Sequence, residues 1–590
     1  MSAVPDLPVG MRPDDAPARL APLLGPRDLH APLAWRQGRP ISGLAWLADV
    51  EAVARQLPAE GPAVNLCGDR YRFSVGLAAA LVRGHASLLP PDAREDTLAR
   101  VCAEHPAAFA LVDPGETHGA SLALRVAVDA DGSRPPLNAM PDWAAIDSAR
   151  HAASLLTSGS TGTPQPHAKT WGTLVGDVAA AAPRLCQLLG LPSLAGLTLV
   201  ATVPVQHSYG LESSALLAML GGAAFEAGRP FYPADIVQAL EAVPRPRALV
   251  TTPFHLKTLL QSGLPIPPVD LLLSATAPLS PQLAAQAERA TGGVMAEIYG
   301  STETGQVALR CPVRSEVWAV LGDIRVQAEP APDGGERFVF SGDFIPAPTP
   351  MADLLELLGD GRFRLLGRAN DLVHVAGRRT SLGHLDFHLN SIPGVEDGAF
   401  WLPDDVADGV VRTVAFVVAP QLDAAAVIAG LRERIEPVFV PRRVVHVQAL
   451  PRVGTGKLTR RELREFALAQ LAADGSPVRL SHRVPADHPA FAGHFPGRPL
   501  LPGALLLAEL LEAMRGVPAL RARLGEAPTL AAAKFLAPVR PGADLVFDLQ
   551  PESGAAGGVR FEVRSGDTVA ASGRWLPGEG ARGAAAGGAP

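Results

Sequence analysis

The segment 155–164 reads Leu-Leu-Thr-Ser-Gly-Ser-Thr-Gly-Thr-Pro, an apolar run that ends in a loop of glycines and hydroxyls. Glycine lets consecutive backbone N–H groups turn toward one point, and hydroxyls add donors. Thr157, Ser158, Gly159, Ser160, Thr161 and Gly162 therefore make a nest suited to a polyphosphate. The loop is not a Walker loop, since GxxxxGK[ST] is absent, and the bland alternative is a flexible surface linker. A second stretch, Tyr299-Gly-Ser-Thr-Glu-Thr-Gly305, gathers an aromatic ring, hydroxyls and the carboxylate of Glu303. A third ends in Lys457, within Leu450-Pro-Arg-Val-Gly-Thr-Gly-Lys457. Of the 52 basic residues only four are lysines (Lys169, Lys257, Lys457 and Lys534) and the rest are arginines. Such a bias reflects a GC-rich genome, and against it each retained lysine needs a reason.

The elements that must hold these residues follow from the apolar pattern. Short apolar runs (61–66, 108–112, 197–203, 248–251 and 271–274) alternate with Ala- and Leu-rich helical stretches such as 73–82 and 281–290. That alternation predicts layered α/β architecture from about Leu24 to Thr380. A second α/β unit follows, with the run 410–418 and a charged helix over 460–472. The segment 473–477, Ala-Asp-Gly-Ser-Pro, reads as a linker. Beyond it lies a third unit with one apolar helix, 504–514, and several strands. The Gly-, Ala- and Pro-rich tail from 578 is expected to be disordered. The domain boundaries read as 1–367, 368–472, 476–577 and the tail 578–590.

Length and composition agree. A chain of 590 residues with 47% hydrophobic and 19% charged residues carries several cores and is not a disordered chain. A net charge of −7 argues against a dedicated nucleic-acid binder. Cys67, Cys102, Cys186 and Cys311 show neither a CxxC pair nor metal-ligand spacing, as free thiols in a reducing compartment would. There is no apolar N-terminal run of a secretory signal and no stretch long enough to span a bilayer. The expectation is a cytoplasmic protein without a membrane span.

The order Thr-Ser-Gly-Ser-Thr-Gly-Thr-Pro resembles the phosphate loop of the adenylate-forming superfamily, which includes acyl-CoA synthetases, aryl-CoA ligases and adenylation domains. Further motifs of that family follow in sequence. The resemblance implies that Tyr299 stacks on adenine, Thr302 contacts the α-phosphate and Glu303 holds Mg²⁺, a hard cation that prefers oxygen ligands. Asp353, in Met-Ala-Asp, resembles the ribose-binding acid of the TGD motif. Asp343, in Ser-Gly-Asp, is a closer local match but stands too far from the next motif. Gly367-Arg368-Ala-Asn370-Asp371 resembles the junction in which Arg368 binds ribose or phosphate, with Asn370 at the hinge position. Lys457 resembles the C-terminal catalytic lysine, whose ammonium neutralises acyl carboxylate and α-phosphate as pyrophosphate leaves. His207, in Val-Pro-Val-Gln-His-Ser-Tyr-Gly, resembles the residue gating the acyl pocket, the alternative being a core histidine. No acid occupies 206–208, which disfavours an α-amino acid substrate. Where the family loop continues Pro-Lys-Gly, this chain has Pro164-Gln165-Pro166, and the nearest lysine, Lys169, either substitutes by reaching back toward the β/γ-phosphates or only flanks the helix at Trp171.

Near the C-terminus, Gly493-His494-Phe-Pro-Gly-Arg-Pro499, followed by Pro502-Gly503 and an apolar helix, resembles the hot-dog-fold β-hydroxyacyl carrier-protein dehydratases. His494 would then remove the α-proton of a β-hydroxyacyl thioester; its bland alternative is a histidine that orders a Pro/Gly turn. The family's acid, five residues after the second Pro-Gly, falls on Ala508. Glu509 is one residue away, about 100° around a helix, and is expected to point elsewhere.

The resemblance thus implies an α/β and α+β multidomain chain: an adenylate-forming enzyme fold, with a large N-terminal domain and a small mobile C-terminal lobe, followed by a hot-dog domain. The implied activity is ATP- and Mg²⁺-dependent activation of an aryl or acyl carboxylic acid. Transfer to a phosphopantetheine thiol follows, on a separate acyl carrier protein or CoA, as in aryl polyene and xanthomonadin-type pigment pathways. A homodimer through the hot-dog domain is expected. The competing readings are a fatty acyl-CoA ligase with an active dehydratase, and a ligase whose hot-dog domain is a non-catalytic scaffold for dimerisation and carrier docking.

Overall fold

The structure is a computed structural model. It describes residues 19–117, 119, 121–122, 124–157, 165–331, 336–342, 344–368, 372–375, 378–403, 413–452, 458, 460–473, 477–491, 499–552 and 557–578. The chain divides into two compact units, Met1–Leu365 and Leu366–Pro590.

In the first unit the apolar runs become strands of two sheets. One has six strands, in the order Gln165–Thr170, His151–Thr157, Ser87–Leu89, Ala63–Asn65, Phe109–Val112 and Leu124–Ala127. The other has eleven. Its centre is parallel: Val294–Ser301, Leu271–Ser274, Arg247–Thr251 and Thr198–Ala201 lie side by side. Every residue of the last three is buried, as helix-covered parallel strands require. The helices are legible from their ends. Thr170 Oγ1 caps Trp171–Leu189 by accepting from Thr173 N, and Gly190 closes it at φ 64°. Ser280 caps Pro281–Thr291, with Pro at its first turn.

The second unit opens with a three-stranded sheet, Asp397–Trp401, Val414–Val418 and Arg443–His446, and the helices Leu382–Asn390 and Ala424–Arg432. Helix Arg460–Ala473 follows, taking in Ala473, which the sequence pattern assigns to the linker. Next comes a five-stranded antiparallel sheet, ordered Val478–Arg483, Asp544–Pro551, Val559–Ser565, Thr568–Leu576 and Thr529–Phe535, over the helix Gly503–Arg515. Leu506, Leu510 and Met514 of that helix bury against Leu480, Phe547, Phe561 and Val563 of the sheet. Through Leu463, Ala467, Leu468 and Leu471, helix Arg460–Ala473 joins this core to Ala399, Trp401 and Phe416 of the three-stranded sheet. Within the second unit, therefore, the small lobe and the hot-dog sheet share one continuous apolar cluster.

The four cysteines are free thiols, and among the described residues no helix is long and apolar enough to cross a membrane.

Candidate active site

Strands Val294–Ser301 and Gly305–Arg310 pair antiparallel and present the turn between them, Ser301 facing Gly305. The turn ties itself together: Ser301 N donates to Thr304 Oγ1 and Thr304 N to Ser301 Oγ, both at 3.2 Å. Gly305 sits at φ 73°, and a Cβ there would meet Asp177 Oδ2 at 2.1 Å. Only glycine satisfies both demands. Tyr299, buried among Trp318, Phe340 and Phe363, donates its hydroxyl to Asp353 Oδ2 at 2.9 Å. The structure thus brings together two predicted residues that are 54 positions apart in sequence. The competing Asp343 lies outside the described residues. Thr302 is half-buried, and the Glu303 side chain stands half exposed at the tip, its Oε1 3.7 Å from His167 Nε2.

Beneath this turn lies a buried charged cluster. Lys169, 5% exposed, donates from Nζ to the Glu303 carbonyl at 2.9 Å. Its ammonium is thus turned to the hairpin that carries Thr302 and Glu303. Asp177 and Glu212, each 3% exposed, complete the cluster. Asp177 Oδ2 accepts from Gln306 N at 2.9 Å, and Glu212 Oε1 accepts from Ser208 Oγ at 2.6 Å. Burial, then repulsion from Glu212, pushes the Asp177 carboxyl well above the usual range. Burial pushes Glu212 up to about 7, with the Lys169 ammonium pulling it back. Glu212 lies on a π-helical stretch, Leu211–Leu216, a local irregularity common at functional sites. Lysine scarcity marked Lys169 in the sequence. Asp177 and Glu212 escaped notice, although Asp177 is the one acid of its helix and is buried on the same face as Leu174, Val178 and Ala181.

A second cluster belongs to the hot-dog sheet. His482 Nε2 lies 2.8 Å from Glu509 Oε2, and His488 Nε2 lies 3.7 Å from Glu509 Oε1. Here the structure departs from the sequence expectation. Ala508 is exposed, whereas Glu509 follows Leu506 by three positions and precedes Leu510 by one, so it flanks the buried stripe and meets the sheet. Helix phase against the sheet, which no motif count contains, decides the direction.

Comparison with known proteins assigns segments of the chain to families. A family model for AMP-binding enzymes matches residues 60–326, and one for the AMP-binding enzyme C-terminal domain matches 388–457. The 4-coumarate–CoA ligase of Rhodobacter capsulatus is 32% identical over 320 residues, 54% of this chain and 77% of that protein. The chain belongs to the AMP-binding enzyme family. A fatty acid–[acyl-carrier-protein] ligase of Mycobacterium marinum, MmaC, is 27% identical over 30% of this AMP-binding enzyme and 42% of its own length. The ATP-bound MatB structure from Rhodopseudomonas palustris shares the fold, with TM-score 0.61 and 20% identity over 74% of this chain and 96% of that one. Residues 470–574 match the ApeI dehydratase family, so a dehydratase-like hot-dog domain closes the chain.

In this AMP-binding enzyme the remaining predicted residues are placed as follows. Thr157 ends strand His151–Thr157 and pairs antiparallel with Gln165 of strand Gln165–Thr170. Residues 158–162 of that loop, Lys457 and His494 lie outside the described residues. Arg368 ends strand Arg362–Arg368. Just before it, Gly367 stands at φ 125°, where a Cβ would meet Ser381 Oγ at 1.5 Å. His207 precedes the turn Ser208–Gly210, is exposed, and contacts the Pro91 carbonyl through Nε2 at 3.1 Å.

Two arginines escaped sequence reasoning. Arg70 is fully buried and draws together the carbonyls of Val203 at 2.9 Å and Ala201 at 3.3 Å, with Ser214 Oγ at 3.0 Å. It thereby pins the end of strand Thr198–Ala201 to the π-helical stretch. Burial lowers its pKa to about 10, so the charge persists at neutral pH. Arg452, five residues before Lys457, grips Asp397 through Nε at 2.9 Å and Nη2 at 2.8 Å. This two-point fork ties Arg452 to the first strand of the three-stranded sheet.

Proposed function

We propose that the chain joins an aryl or acyl carboxylic acid to AMP and passes the acyl group to a phosphopantetheine thiol, on a separate acyl carrier protein or CoA. The observation that carries this reading is the Tyr299–Asp353 hydrogen bond beside the Glu303 hairpin, which supports a nucleoside held next to a phosphate-facing turn within one sheet. The substrate carboxylate attacks the α-phosphorus of ATP as the bond to pyrophosphate breaks. A thiol then attacks the acyl carbonyl and AMP leaves. In this scheme residues 157–162 cradle phosphates, Tyr299 and Asp353 hold the nucleoside, Thr302 meets the α-phosphate and Arg368 the ribose. Lys457 neutralises the charge that develops, and His207 stands at the acyl pocket. Lys169 acts through the Glu303 carbonyl. Among the described residues no group of three or more His, Cys, Asp or Glu side chains is placed to hold a metal. The half-exposed Glu303 carboxylate fits Mg²⁺ taken up with nucleotide phosphates, where the ion would neutralise phosphate charge.

The likeness to a 4-coumarate ligase supports an aromatic acid such as 4-hydroxybenzoate, and the likeness to MmaC together with the fused dehydratase-like domain supports a carrier protein as acceptor. An aryl polyene-type pathway in the cytoplasm would unite these features. The edge strand Thr529–Phe535, with Phe535 53% and Leu536 62% exposed, supports pairing with a second copy. One observation favours a scaffold role for the hot-dog domain instead, namely alanine at position 508. The deciding experiment is pyrophosphate release over a panel of aromatic and aliphatic acids, with CoA and with carrier protein as acceptors. Release with aromatic acids and transfer to the carrier are expected, and both are abolished in Lys457→Ala. A folded protein that responds to no acid overturns the reading.

A further inference from the structure

We propose that the hot-dog domain and the small lobe form one moving body, so that each turn of the lobe carries the hot-dog domain with it. The inference rests on the proposed ligase reading, in which the lobe turns between the two half-reactions.

The sequence pattern places a linker at 473–477, between two independent domains. The compact units divide elsewhere, between Leu365 and Leu366, and the lobe and the hot-dog sheet fall in the same one. Helix Arg460–Ala473 is the reason. Its first turns are charged, yet Leu463, Ala467 and Leu471 recur at every fourth position and Leu468 widens the stripe, all four at most 9% exposed. Such a stripe needs one cover, and this helix has two. It packs against strand Asp397–Trp401 of the lobe, and against strand Val478–Arg483 and helix Pro518–Leu524 of the hot-dog domain. On the lobe side Phe466 meets Phe416 edge-on, with ring centres 5.7 Å apart. On the hot-dog side Leu520 and Leu524, at most 1% exposed, lie in the same apolar cluster as Trp401 and Phe416. Residues 460–469 of the helix fall between the segments matched to the two families and belong to neither match.

The character of this joint decides its mechanics. Domains that move against each other meet through small, polar surfaces, whereas a large apolar interface holds them fixed. Ala399, Trp401 and Phe416 at one end, and Leu480, Phe547 and Phe561 at the other, belong to one contiguous core. A packed interior cannot slide without opening voids and exposing apolar side chains to water. Ala473 is still helical and strand Val478–Arg483 begins shortly after it, so little chain remains between them. The hot-dog domain is then a structural part of the ligase lobe, and the two are mechanically coupled.

The test uses the full-length protein. A site for a sequence-specific protease is inserted between 475 and 476 and cut after folding. The two fragments are expected to co-elute on size exclusion, and to separate when Ala467→Glu or Leu468→Ala opens the shared core before cutting. Circular dichroism, unchanged before cutting, controls for folding. Wild-type fragments that separate overturn the single body, as do fragments of both variants that stay together. Motion is read by energy transfer between dyes placed pairwise at exposed Glu60, Arg432 and Asp567, in the first unit, the lobe and the hot-dog domain. The states compared are the protein alone, with ATP and an acid that supports pyrophosphate release, and with CoA added. Transfer between positions 432 and 567 should stay constant, while both change together against position 60. A change between 432 and 567, or a change of 432 against 60 without one at 567, overturns the proposal. A constant signal at every pair overturns the turning lobe and the carried motion with it, whereas absent pyrophosphate release with every acid overturns the ligase reading itself.

Discussion

Two clusters of ionisable side chains, one in each unit, use similar groups under opposite conditions. Lys169, Asp177 and Glu212 are at most 5% exposed, and every contact described for them ends on the hairpin or on neighbouring helix. His482, His488 and Glu509 sit at the rim of a sheet with side chains 16–29% exposed. Buried charge is costly unless paired, so the first cluster is sensitive to any lost partner and is suited to holding a backbone rigid. The second is solvated enough to exchange protons. Exposure, more than residue type, separates the two clusters.

The strongest challenge to this contrast is Lys169→Met. It leaves two buried carboxyls without their cation and the Glu303 carbonyl without its donor. A loss of about 3–5 kcal/mol in urea unfolding is expected, together with loss of adenylation. A cost below about 1 kcal/mol would show that the cluster does not hold the hairpin.

The next test is pH. The folded Glu212 carboxyl is raised to about 7 from an ordinary 4.5, so the folded state binds its proton more tightly than the unfolded chain does. This contribution is fully present below the ordinary pKa. It is lost as pH rises toward about 7 and is constant above, with a slope of at most ~1.4 kcal/mol per pH unit. Glu212→Gln should flatten that slope when urea midpoints at about pH 5 and about pH 7 are compared. Parallel wild-type and variant profiles would remove Glu212 from the cluster's electrostatics.

A smaller effect is expected from Tyr299→Phe, which deletes the hydroxyl bonded to Asp353. One hydrogen bond amounts to about 0.5–1.5 kcal/mol, so KM for ATP should rise about two- to thirteenfold while KM for the acid stays constant. An equal change in both KM values would mean that the pair shapes the site as a whole instead of the nucleoside pocket. Least of all, Glu509→Gln should change unfolding free energy by under about 1 kcal/mol, because a partly solvated pair contributes little to stability. A larger loss would make the second cluster structural, like the first.

Much of this was legible in the residues. The runs 248–251 and 271–274 announced the strands Arg247–Thr251 and Leu271–Ser274, because fully buried parallel strands are written as unbroken apolar stretches. The pattern over 504–514 announced the helix Gly503–Arg515 for the same local reason. Tyr299, Thr302 and Glu303 share one hairpin, so their proximity needed only local chain. Arg70 left no trace in the sequence, since its partners at 201, 203 and 214 are more than 130 positions away.

The sequence by itself determined which segments carry chemistry, since motif order and hydrophobic period are local properties of the chain. Only the tertiary structure decided direction. It set Asp353 against Tyr299, turned Lys169 to the Glu303 carbonyl, and faced Glu509 to His482 while leaving Ala508 outside. Each of these depends on the rotation of one element against another. That rotation is settled by packing between residues distant in sequence, and a shift of one position on a helix, about 100°, is enough to exchange an inward carboxylate for an outward methyl group.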